Sequence, residues 1–406
     1  MGRYRPTRAR RSRRATVPAA AALLLAALCA GTGPDRSTTT SVGQSFDPAT
    51  VQKLDAAITK IMKQTSIPGL NIGLWMPRCG VYEKSFGVAD KQTGTPMKSD
   101  LYTRIGSVTK TFTVTGVLQL VDRGKVGLDD PISQYVSGVP GGDVITVRQL
   151  AEMRSGLFNY TDDERWLAAL RSDPHRSYTP RQLLDIAFRH PPTFEPGAKW
   201  EYSNTNTTLL GMLVEKVSGQ SLGDYLQEHV FTPLKLTDTS LPGDSAMPDP
   251  HAHGYTNFTP TGAIADATNW NPSWAWAAGG IISDLDDLHT WVPALADGRL
   301  LTRKTQAERL RTLSIGIPGA SYGLGILNFN GWLGHNGDLP GYESIAAQLP
   351  TEQASLVILI NTDTDYKGKN LSTVIGNAVT SIVTPDHPWS RPASTQPKQS
   401  PAPSNR

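Results

Sequence analysis

The sequence contains very little cysteine. Its 406 residues include only Cys29 and Cys79. Two thiols cannot form a disulfide framework, and Cys79 is expected to stand alone if the segment that carries Cys29 is removed. A hydrophobic core must therefore hold the fold, and a chain of this length with 38% hydrophobic residues can form one.

Long hydrophobic runs are scarce as well. The apolar stretch 17–30 has 14 residues, fewer than the roughly 20 that a membrane-spanning helix needs. It follows an arginine-rich start, which is typical of a secretory signal peptide and not of a buried core helix. We therefore predict a signal peptide at 1–30, no stable membrane span, and a secreted or cell-envelope location. A lipid anchor on Cys29 is the lesser alternative, because Leu28 stands where lipoprotein signals carry a small residue.

Excess positive charge is confined to this leader. The formal net charge of +3 becomes −4 when residues 1–30, with their seven arginines and no acid, are removed. A mildly acidic body has no electrostatic footprint for nucleic acid, so we predict no nucleic-acid partner.

Several catalytic motifs are also missing. The sequence has no H-E-x-x-H zinc motif and no glycine-rich phosphate loop. His251 and His253 form a pair without the nearby acids of a dinuclear zinc site, and we interpret them as loop residues. We therefore predict no metal and no other cofactor.

Composition divides the chain into four segments. After the leader, 31–45 is rich in small polar residues, which is typical of a flexible spacer. At the other end, 385–406 holds six prolines and four serines and predicts a disordered tail. Between them, 46–384 has no repeat and no second linker of comparable length, which predicts one domain.

Strand patterns lie near both ends of this domain, with helical patterns between them. The predicted elements are hairpins 70–76 with 81–88 and 343–349 with 354–360, a strand at 322–329, and helices after the Asp47–Pro48 cap, at 181–188, at 208–217 and at 370–383. We therefore predict an α/β (α+β) fold, in which an antiparallel sheet built from both termini is flanked by helices. A mostly helical subdomain is inserted at about 111–260.

Three short strings carry residues suited to acyl transfer: Ser107-Val-Thr-Lys110, Tyr202-Ser-Asn204 and His335-Asn-Gly337. Ser107 and Lys110 are three residues apart in a helix-forming stretch and would share one helix face. A helix that begins near Ser107 would place unpaired N–H groups beside the hydroxyl. A lysine in a dry pocket loses its proton readily and can act as a base. For this pair alone, a surface helix with a solvated lysine is the alternative.

The other two strings supply a phenol, an amide and an imidazole. Tyr202 precedes an apolar helix, and a phenol beside a cation can carry a proton, while Asn204 offers a donor and an acceptor to a substrate amide. Gly337 would permit close approach to a strand edge; a lone histidine such as His335 is more often structural, but it completes the set. A second Tyr-x-Asn, at Tyr255, lies in a turn-rich stretch and is the less suitable of the two.

Together with longer segments, these strings resemble the serine penicillin-recognising family of class C β-lactamases, low-molecular-weight penicillin-binding proteins and related esterases. The likeness is greatest to secreted actinomycete D-alanyl-D-alanine carboxypeptidases and covers nearly all of 46–384. The further segments are LxxxDRGKVGLDDPISQYV (118–136), ITVRQLAEMRSGL (145–157), PGAKWEYSNTN (196–206), FTPLKLTDT (231–239) and AAGGIISDLDDL (277–288).

The resemblance implies catalytic roles for five residues. Ser107 would be acylated, and Lys110 and Tyr202 would handle the proton. His335 would replace the more usual lysine of the third motif. The backbone N–H groups of Ser107 and Asp338 would form an oxyanion hole, in which each donor is typically worth roughly 10²–10³ in rate.

The resemblance also implies a substrate-binding set, namely Asn204, Trp274, Asn336 and Gly337. Two features depart from the carboxypeptidases: Asn336 and Asp338 stand where those enzymes usually have threonine, and 322–334 contains no arginine to hold a free substrate carboxylate. An Arg–carboxylate pair is strong and geometrically particular, and Asp338 would repel an anion. A D-Ala-D-Ala substrate therefore fits this chain less well than acyl-enzyme chemistry does.

The predicted function is an exported serine hydrolase that forms an acyl-enzyme on Ser107 and is related to D-alanyl-D-alanine carboxypeptidases and β-lactamases. It would act on peptide or ester bonds of a small-molecule or peptide acyl substrate, with cell-wall peptide as one candidate. The missing arginine favours an esterase with little peptidase activity as the first alternative. The unusual His335 gives some weight to a slowly acylating penicillin-binding sensor or a non-catalytic module.

Overall fold

The computed structural model describes residues 45–364 and 366–390. The predicted signal peptide at 1–30, nearly all of the spacer at 31–45 and residues 391–406 of the predicted tail lie outside this part of the chain. Within it, no helix combines the length and hydrophobicity that a bilayer crossing requires.

Helices occupy most of the middle of the described chain, and the long strands lie near its two ends. The helices are α1 Pro48–Thr65, α2 Thr109–Asp122, α3 Val147–Ala151, α4 Glu164–Ser172, α5 Pro180–Ala187, α6 Asn204–Ser218, α7 Leu222–Leu226, α8 Thr232–Leu234, α9 Trp276–Gly279, α10 Leu285–Asp297, α11 Arg303–Arg309 and α12 Leu371–Val383. The strands are β1 Gly69–Met76, β2 Gly80–Gly87, β3 Thr103–Arg104, β4 Tyr255–Thr256, β5 Ala265–Asp266, β6 Ile282–Ser283, β7 Leu313–Ser314, β8 Ala320–Tyr322, β9 Leu327–Phe329, β10 Trp332–Leu339, β11 Tyr342–Leu349 and β12 Ala354–Ile360.

One eight-stranded sheet organises the domain. Its order is β2-β1-β12-β11-β10-β9-β8-β7, and its neighbouring strands are antiparallel. Strand β1, which follows the first helix, therefore pairs directly with β12, which precedes the last. This confirms the predicted sheet built from both termini.

Both faces of the sheet are buried, because successive side chains of a strand point to opposite sides. In β12, Leu356 and Ile358 belong to one hydrophobic cluster, which includes residues of α1 and α12. The alternate residues Val357 and Leu359 belong to a second cluster, which includes residues of α2, α6 and α10. The candidate nucleophile, Ser107, lies on the side of the sheet that faces the second cluster.

The structure corrects two predicted boundaries within the domain. The predicted strand 322–329 is two short strands, β8 and β9, because Gly325 turns the chain with a φ of +64° and packs so closely on Val114 that a side chain would collide. The inserted region is longer than 111–260. It extends from the end of β2 to the start of β7 and includes α10 and α11.

The structure also corrects a prediction about the chain end. Residues 385–390 belong to the domain: Trp389 is buried in the cluster beside α12, and its backbone N–H donates to Thr380 Oγ1 at 2.7 Å. Cys79 is disulfide-bonded. The expectation that it stands alone applies once the segment with Cys29 is removed, and it stays a prediction.

Candidate active site

The candidate nucleophile lies where a short helical turn meets a sheet strand. Ser107 belongs to the 3₁₀ turn Gly106–Val108, which leads into α2 beside β10. Gly106 has a φ of +52°, and a Cβ atom on it would lie 2.6 Å from the backbone N of Asp338. A Cβ atom on Gly337 would lie 2.0 Å from Ile105 O. Two glycines therefore permit the backbone of this turn to touch β10.

Ser107, Lys110 and Tyr202 come together as one hydrogen-bonded group. Lys110 Nζ lies 2.9 Å from Ser107 Oγ, and Tyr202 Oη donates to the same oxygen at 2.7 Å. Lys110 Nζ also donates to Asn204 Oδ1 and to Ala278 O, both at 2.7 Å. The predicted convergence of residues 95 positions apart, Ser107 and Tyr202, is thus present in the fold.

Burial separates the proton affinities of the two candidate bases. Lys110 is fully buried, and this burial lowers its pKa well below the usual value. Burial raises the pKa of Tyr202, so its phenol keeps its proton, although the hydrogen bond with Ser107 opposes the shift. A neutral amine beside a protonated phenol favours Lys110 as the acceptor of the Ser107 proton.

Asn204 is already engaged at both ends of its amide. Its Oδ1 accepts from Lys110, and its Nδ2 donates to Thr161 Oγ1 at 3.2 Å. As the first residue of α6, it is held by its backbone N–H, which donates to Asn159 Oδ1 at 3.0 Å. The side chain lines the cleft and orients Lys110, while its predicted contact with a substrate amide stays a prediction.

His335 lies on β10 near the reactive group without bonding to it. Its Nδ1–H donates to Asn336 O at 2.5 Å, and Tyr322 Oη lies 3.3 Å from Nε2, at a distance for donation. Its ring centre is 6.2 Å from that of Tyr202. Burial lowers its pKa to about 3, and a proton on Lys110 would lower it in the same direction, so the ring is neutral at physiological pH. A catalytic role for His335 stays a prediction.

The strand edge beside Ser107 is open to a substrate. Among the described strands, β9 pairs with β10 only along Trp332–Gly334, so the second half of β10 has no strand partner on that side. The close contact of Gly106 with Asp338 N brings the Ser107 peptide next to the Asp338 peptide. This arrangement suits the predicted oxyanion hole, since both N–H groups belong to these adjoining peptides.

A cleft of about 420 Å³ opens over this group, within the size range of small-molecule sites. Its apolar lining is Trp200, Trp274, Ile315, Ile317, Leu327 and Phe329. Its polar lining is Ser107, Thr161, Tyr202, Asn204, His335, Asn336, Asp338 and Asn370. Trp274 and Asn336 thus lie in the cleft as predicted, whereas Gly337 lies against Ile105 and Tyr255 takes part in the separate β4–β5 pair.

Asp338 gives the cleft an acidic end. Solvent reaches its side chain through the cleft mouth, and Asn370 Nδ2 donates to its Oδ2 at 2.7 Å. The surrounding protein and the carboxylate of Asp363 raise the pKa of Asp338 to about 7. Nearby Glu343 has its own pKa raised to about 8 by burial and by Asp338. Among the described residues that line the cleft, none carries a positive charge at neutral pH.

Sequence reasoning missed seven of the lining residues: Thr161, Trp200, Ile315, Ile317, Leu327, Phe329 and Asn370. Trp200 stands two positions before Tyr202, and alternation in that segment is a signal that could have found it. Asn370 precedes α12 at a boundary that was predicted, but nothing in the sequence connects it with Asp338. Ile315 and Ile317 sit on the connection between β7 and β8, where no motif marks them.

Comparison with known proteins agrees with this fold. The "Beta-lactamase" family model matches residues 54–376. A D-stereospecific amidohydrolase from Streptomyces sp. is 34% identical, with a TM-score of 0.73, over 83% of this chain and 98% of the other. A D-amino acid amidase from Ochrobactrum anthropi SV3, complexed with D-phenylalanine, is 30% identical, with a TM-score of 0.71, over 81% and 99%.

A curated relative points the same way. The D-aminopeptidase of Brucella anthropi is 29% identical over 352 residues, which are 83% of this chain and 65% of the relative. The chain thus spans about two thirds of that protein's length. With a family model covering most of the described domain, the chain belongs to the beta-lactamase family of serine hydrolases and is related to D-aminopeptidase and D-amino acid amidase.

Proposed function

We propose that this protein hydrolyses amides or short peptides that carry a free α-amino group and a bulky apolar side chain, through an acyl-enzyme on Ser107. The observation that carries this proposal is the carboxylate of Asp338 in a cleft whose described lining holds no cation at neutral pH. A D-alanyl-D-alanine carboxypeptidase needs a positive charge for its substrate's carboxylate, whereas an aminopeptidase or amidase needs a negative charge for an ammonium group.

The reaction follows from the hydrogen bonds around Ser107. Lys110 Nζ takes the hydroxyl proton as Ser107 Oγ bonds to the substrate carbonyl carbon, and the N–H groups of Ser107 and Asp338 bind the oxyanion. Tyr202 gives its proton to the leaving nitrogen as the C–N bond breaks, and the Lys110 ammonium restores it. Water then attacks the ester carbonyl, the same groups move the proton, and the acid leaves.

The position of Asp338 fits the chemistry of an amino-acid amide. In such a substrate the ammonium group is one carbon away from the reacting carbonyl. Asp338 would supply an N–H group to the oxyanion and a carboxylate to the ammonium from a single residue. The ammonium would in turn favour the charged form of a carboxyl group whose pKa is about 7.

The apolar walls supply the side-chain preference, and the relatives suggest the stereochemistry. Trp200, Trp274 and Phe329 line the cleft, and aromatic walls suit an aromatic substrate group. Two of the similar proteins are named for D-amino acid or D-stereospecific substrates. We therefore assign D-phenylalanine amide and D-phenylalanyl peptides as the representative substrates.

Four compounds test the proposal on the purified protein: D-phenylalanine amide, L-phenylalanine amide, N-acetyl-D-phenylalanine amide and D-Ala-D-Ala. Ammonia or amino-acid release should be fastest with D-phenylalanine amide. The L-amide has the opposite configuration, the N-acetyl compound lacks the ammonium group, and D-Ala-D-Ala presents a carboxylate. Faster release from D-Ala-D-Ala or from the N-acetyl compound would contradict the proposed role of the acidic cleft.

An esterase is the second candidate, because a cleft without an arginine also accepts neutral esters. A nitrophenyl ester of an uncharged apolar acid separates the two functions. If its kcat/KM exceeds that of D-phenylalanine amide and does not change in Asp338→Asn, the esterase function is the better description.

We also propose that the protein acts outside the cytoplasm. The support is the arginine-rich, apolar segment 1–30. We expect this segment to be removed on export. The intact mass of protein recovered from the medium tests this, and a full-length mass found only inside cells would contradict it.

A further inference from the structure

A second cavity, of about 530 Å³, lies between α6, α7 and the segment 240–244. It shares no lining residue with the cleft over Ser107. Tyr178 and Trp276 give it aromatic walls, and Leu222 adds aliphatic surface. A cavity of this volume with these walls suits a small organic ligand.

The charges of this second cavity are acidic. Glu215, Asp224 and Asp244 line it, and among its described lining residues there is no lysine, arginine or histidine. Two arginines border this lining: Arg176 stacks on Tyr178 at 5.1 Å, and Arg104, which donates to Ser245 O and Thr268 O, interacts with the charge of Asp244. Glu215 and Asp224 therefore carry the attraction for a cation. Burial raises the pKa of Glu215. A ligand that fits both walls and charges is a primary amine with an apolar or aromatic body.

One wall of the cavity is a segment that holds the nucleophile in place. We call residues 276–281 the strap. Its Ala278 O accepts from Lys110 Nζ at 2.7 Å, and its Ala277 O accepts from Thr113 Oγ1 at 2.7 Å. Ile281 O accepts from Ile105 N at 3.1 Å, two residues before Ser107. The strap thus positions both the base and the turn that carries the nucleophile.

The strap meets the second cavity through Trp276 and Gly280. Trp276 has a φ of +30°, in a region that a bulky residue rarely adopts. Its ring packs against Gly211 of α6 so closely that a Cβ atom there would lie 3.0 Å away. A ligand that contacts Trp276 would therefore touch a constrained stretch of backbone. This stretch lies two residues before Ala278, whose carbonyl oxygen accepts from Lys110.

We propose that this cavity is a regulatory site for a small primary amine, and that its occupation slows acylation of Ser107 through the strap. The Lys110–Ala278 hydrogen bond is 2.7 Å long, so a displacement of Ala278 away from Lys110 would weaken it. This site lies beyond the proposed substrate cleft. It needs no particular substrate for its test, because acylation of Ser107 can be followed with a fluorophosphonate.

Tryptamine is the probe, because it joins an ammonium group to an aromatic body. Its binding to the full chain is measured by calorimetry in Asp338→Asn, so that binding in the cleft does not interfere. The charge variants are Glu215→Gln and Asp224→Asn, which keep the oxygens that accept from Leu222 N and Ser221 Oγ. Asp297→Asn, at the exposed end of α10, is the matched control.

A blocking variant separates the second cavity from the cleft. Gly243 lines the cavity, and a Cβ atom there meets nothing within 4 Å, so the backbone accepts Gly243→Phe and places an aromatic ring at the cavity wall. We expect one tryptamine per chain, about fivefold weaker binding for each carboxylate removed, and a labelling rate at least threefold slower at saturation. The slowing should persist in Asp338→Asn and vanish in Gly243→Phe.

Three results would overturn the proposal. They are undiminished binding in the double variant Glu215→Gln/Asp224→Asn, an unchanged labelling rate at saturating tryptamine, and slowing that survives in Gly243→Phe. Circular dichroism of each variant verifies that the fold is intact before these rates are compared. Failure of D-phenylalanine amide as a substrate would leave all three measurements unaffected.

Discussion

The deep part of the cleft around Ser107 and Lys110, which we call the floor, differs in burial from its outer edge at the β7–β8 connection, which we call the rim. On the floor, Lys110 is fully buried, and its Nζ contacts Ser107, Asn204 and Ala278 at hydrogen-bond distances. On the rim, Ile317 is 53% exposed on the connection between β7 and β8. The difference indicates that chemistry is fixed by a rigid centre, while substrate choice depends on a surface that changes at little cost to stability.

The largest expected effect is on the floor. Ser107→Ala should lower hydrolysis roughly 10⁴-fold or more, because the group that forms the acyl-enzyme is removed. Fluorophosphonate labelling should disappear while the melting temperature stays close to that of the parent. Labelling that persists at the same intensity would show that another residue is the nucleophile.

The second prediction tests the contact between the nucleophile turn and the sheet. Gly337→Ala places a Cβ atom 2.0 Å from Ile105 O, so the turn must move away from β10. We expect a loss of roughly 10²–10³ in kcat from a misplaced oxyanion donor and about 1–3 kcal/mol in the free energy of unfolding. Gly243→Ala, which meets open space, is the control. Equal kcat values in the two variants would contradict the predicted hole.

The third prediction concerns Asp338, which lies between the floor and the rim. Asp338→Asn should raise KM for D-phenylalanine amide about tenfold, since a charged hydrogen-bond partner is lost, with a smaller change in kcat. Because the pKa of Asp338 is about 7, the carboxylate forms above that pH. The parent's kcat/KM should therefore rise as pH increases through 7, and the variant should lack this step. The groups that face Asp338 are Asp363, Glu343 and Asn370.

The effect of Asp338 on the free energy of unfolding depends on pH in the opposite direction to its effect on kcat/KM. Its folded pKa, about 7, lies above the ordinary value of 3.8, so the folded state binds more protons between these values and stability falls as pH rises through them. Asp338→Asn should remove this loss and be relatively more stable at pH 8 than at pH 4. Urea unfolding at both pH values measures it, and identical pH dependence in parent and variant would contradict the assignment.

The smallest effect is expected on the rim. Ile317→Ala should raise KM for D-phenylalanine amide by about threefold, from the loss of apolar contact area, with an unchanged melting temperature. Leu313→Ala is the matched control, because Leu313 is 40% exposed on the same hairpin and does not line the cleft. Equal effects of the two substitutions would mean that Ile317 does not contact the substrate.

The elements that sequence reasoning predicted best are those with local signals. Asp47 caps α1 as expected, with its Oδ1 accepting from Thr50 N at 3.0 Å. The continuous apolar run of β12 predicted a strand because a sheet buried on both faces requires one. The spacing of Ser107 and Lys110 indicated one helix face, and the structure brings both to one hydroxyl.

The features that were missed depend on distant contacts. The break between β8 and β9 follows from Gly325 packing on Val114, and the ordered position of Trp389 follows from its place in a cluster with α12. The partnership of Asn370 with Asp338 joins residues 32 positions apart. Local composition does not encode such pairings, so the rim and the chain end could not be predicted from it.

The pairing of β1 with β12 has a consequence for the order in which the molecule matures. During synthesis, Ser107 emerges more than two hundred residues before Asp338, and the central strands join only when the last part of the polypeptide arrives. A nascent or truncated chain therefore contains its reactive alcohol but lacks half of the proposed oxyanion hole. We therefore expect acylation of Ser107 to begin only when the final strands are in place.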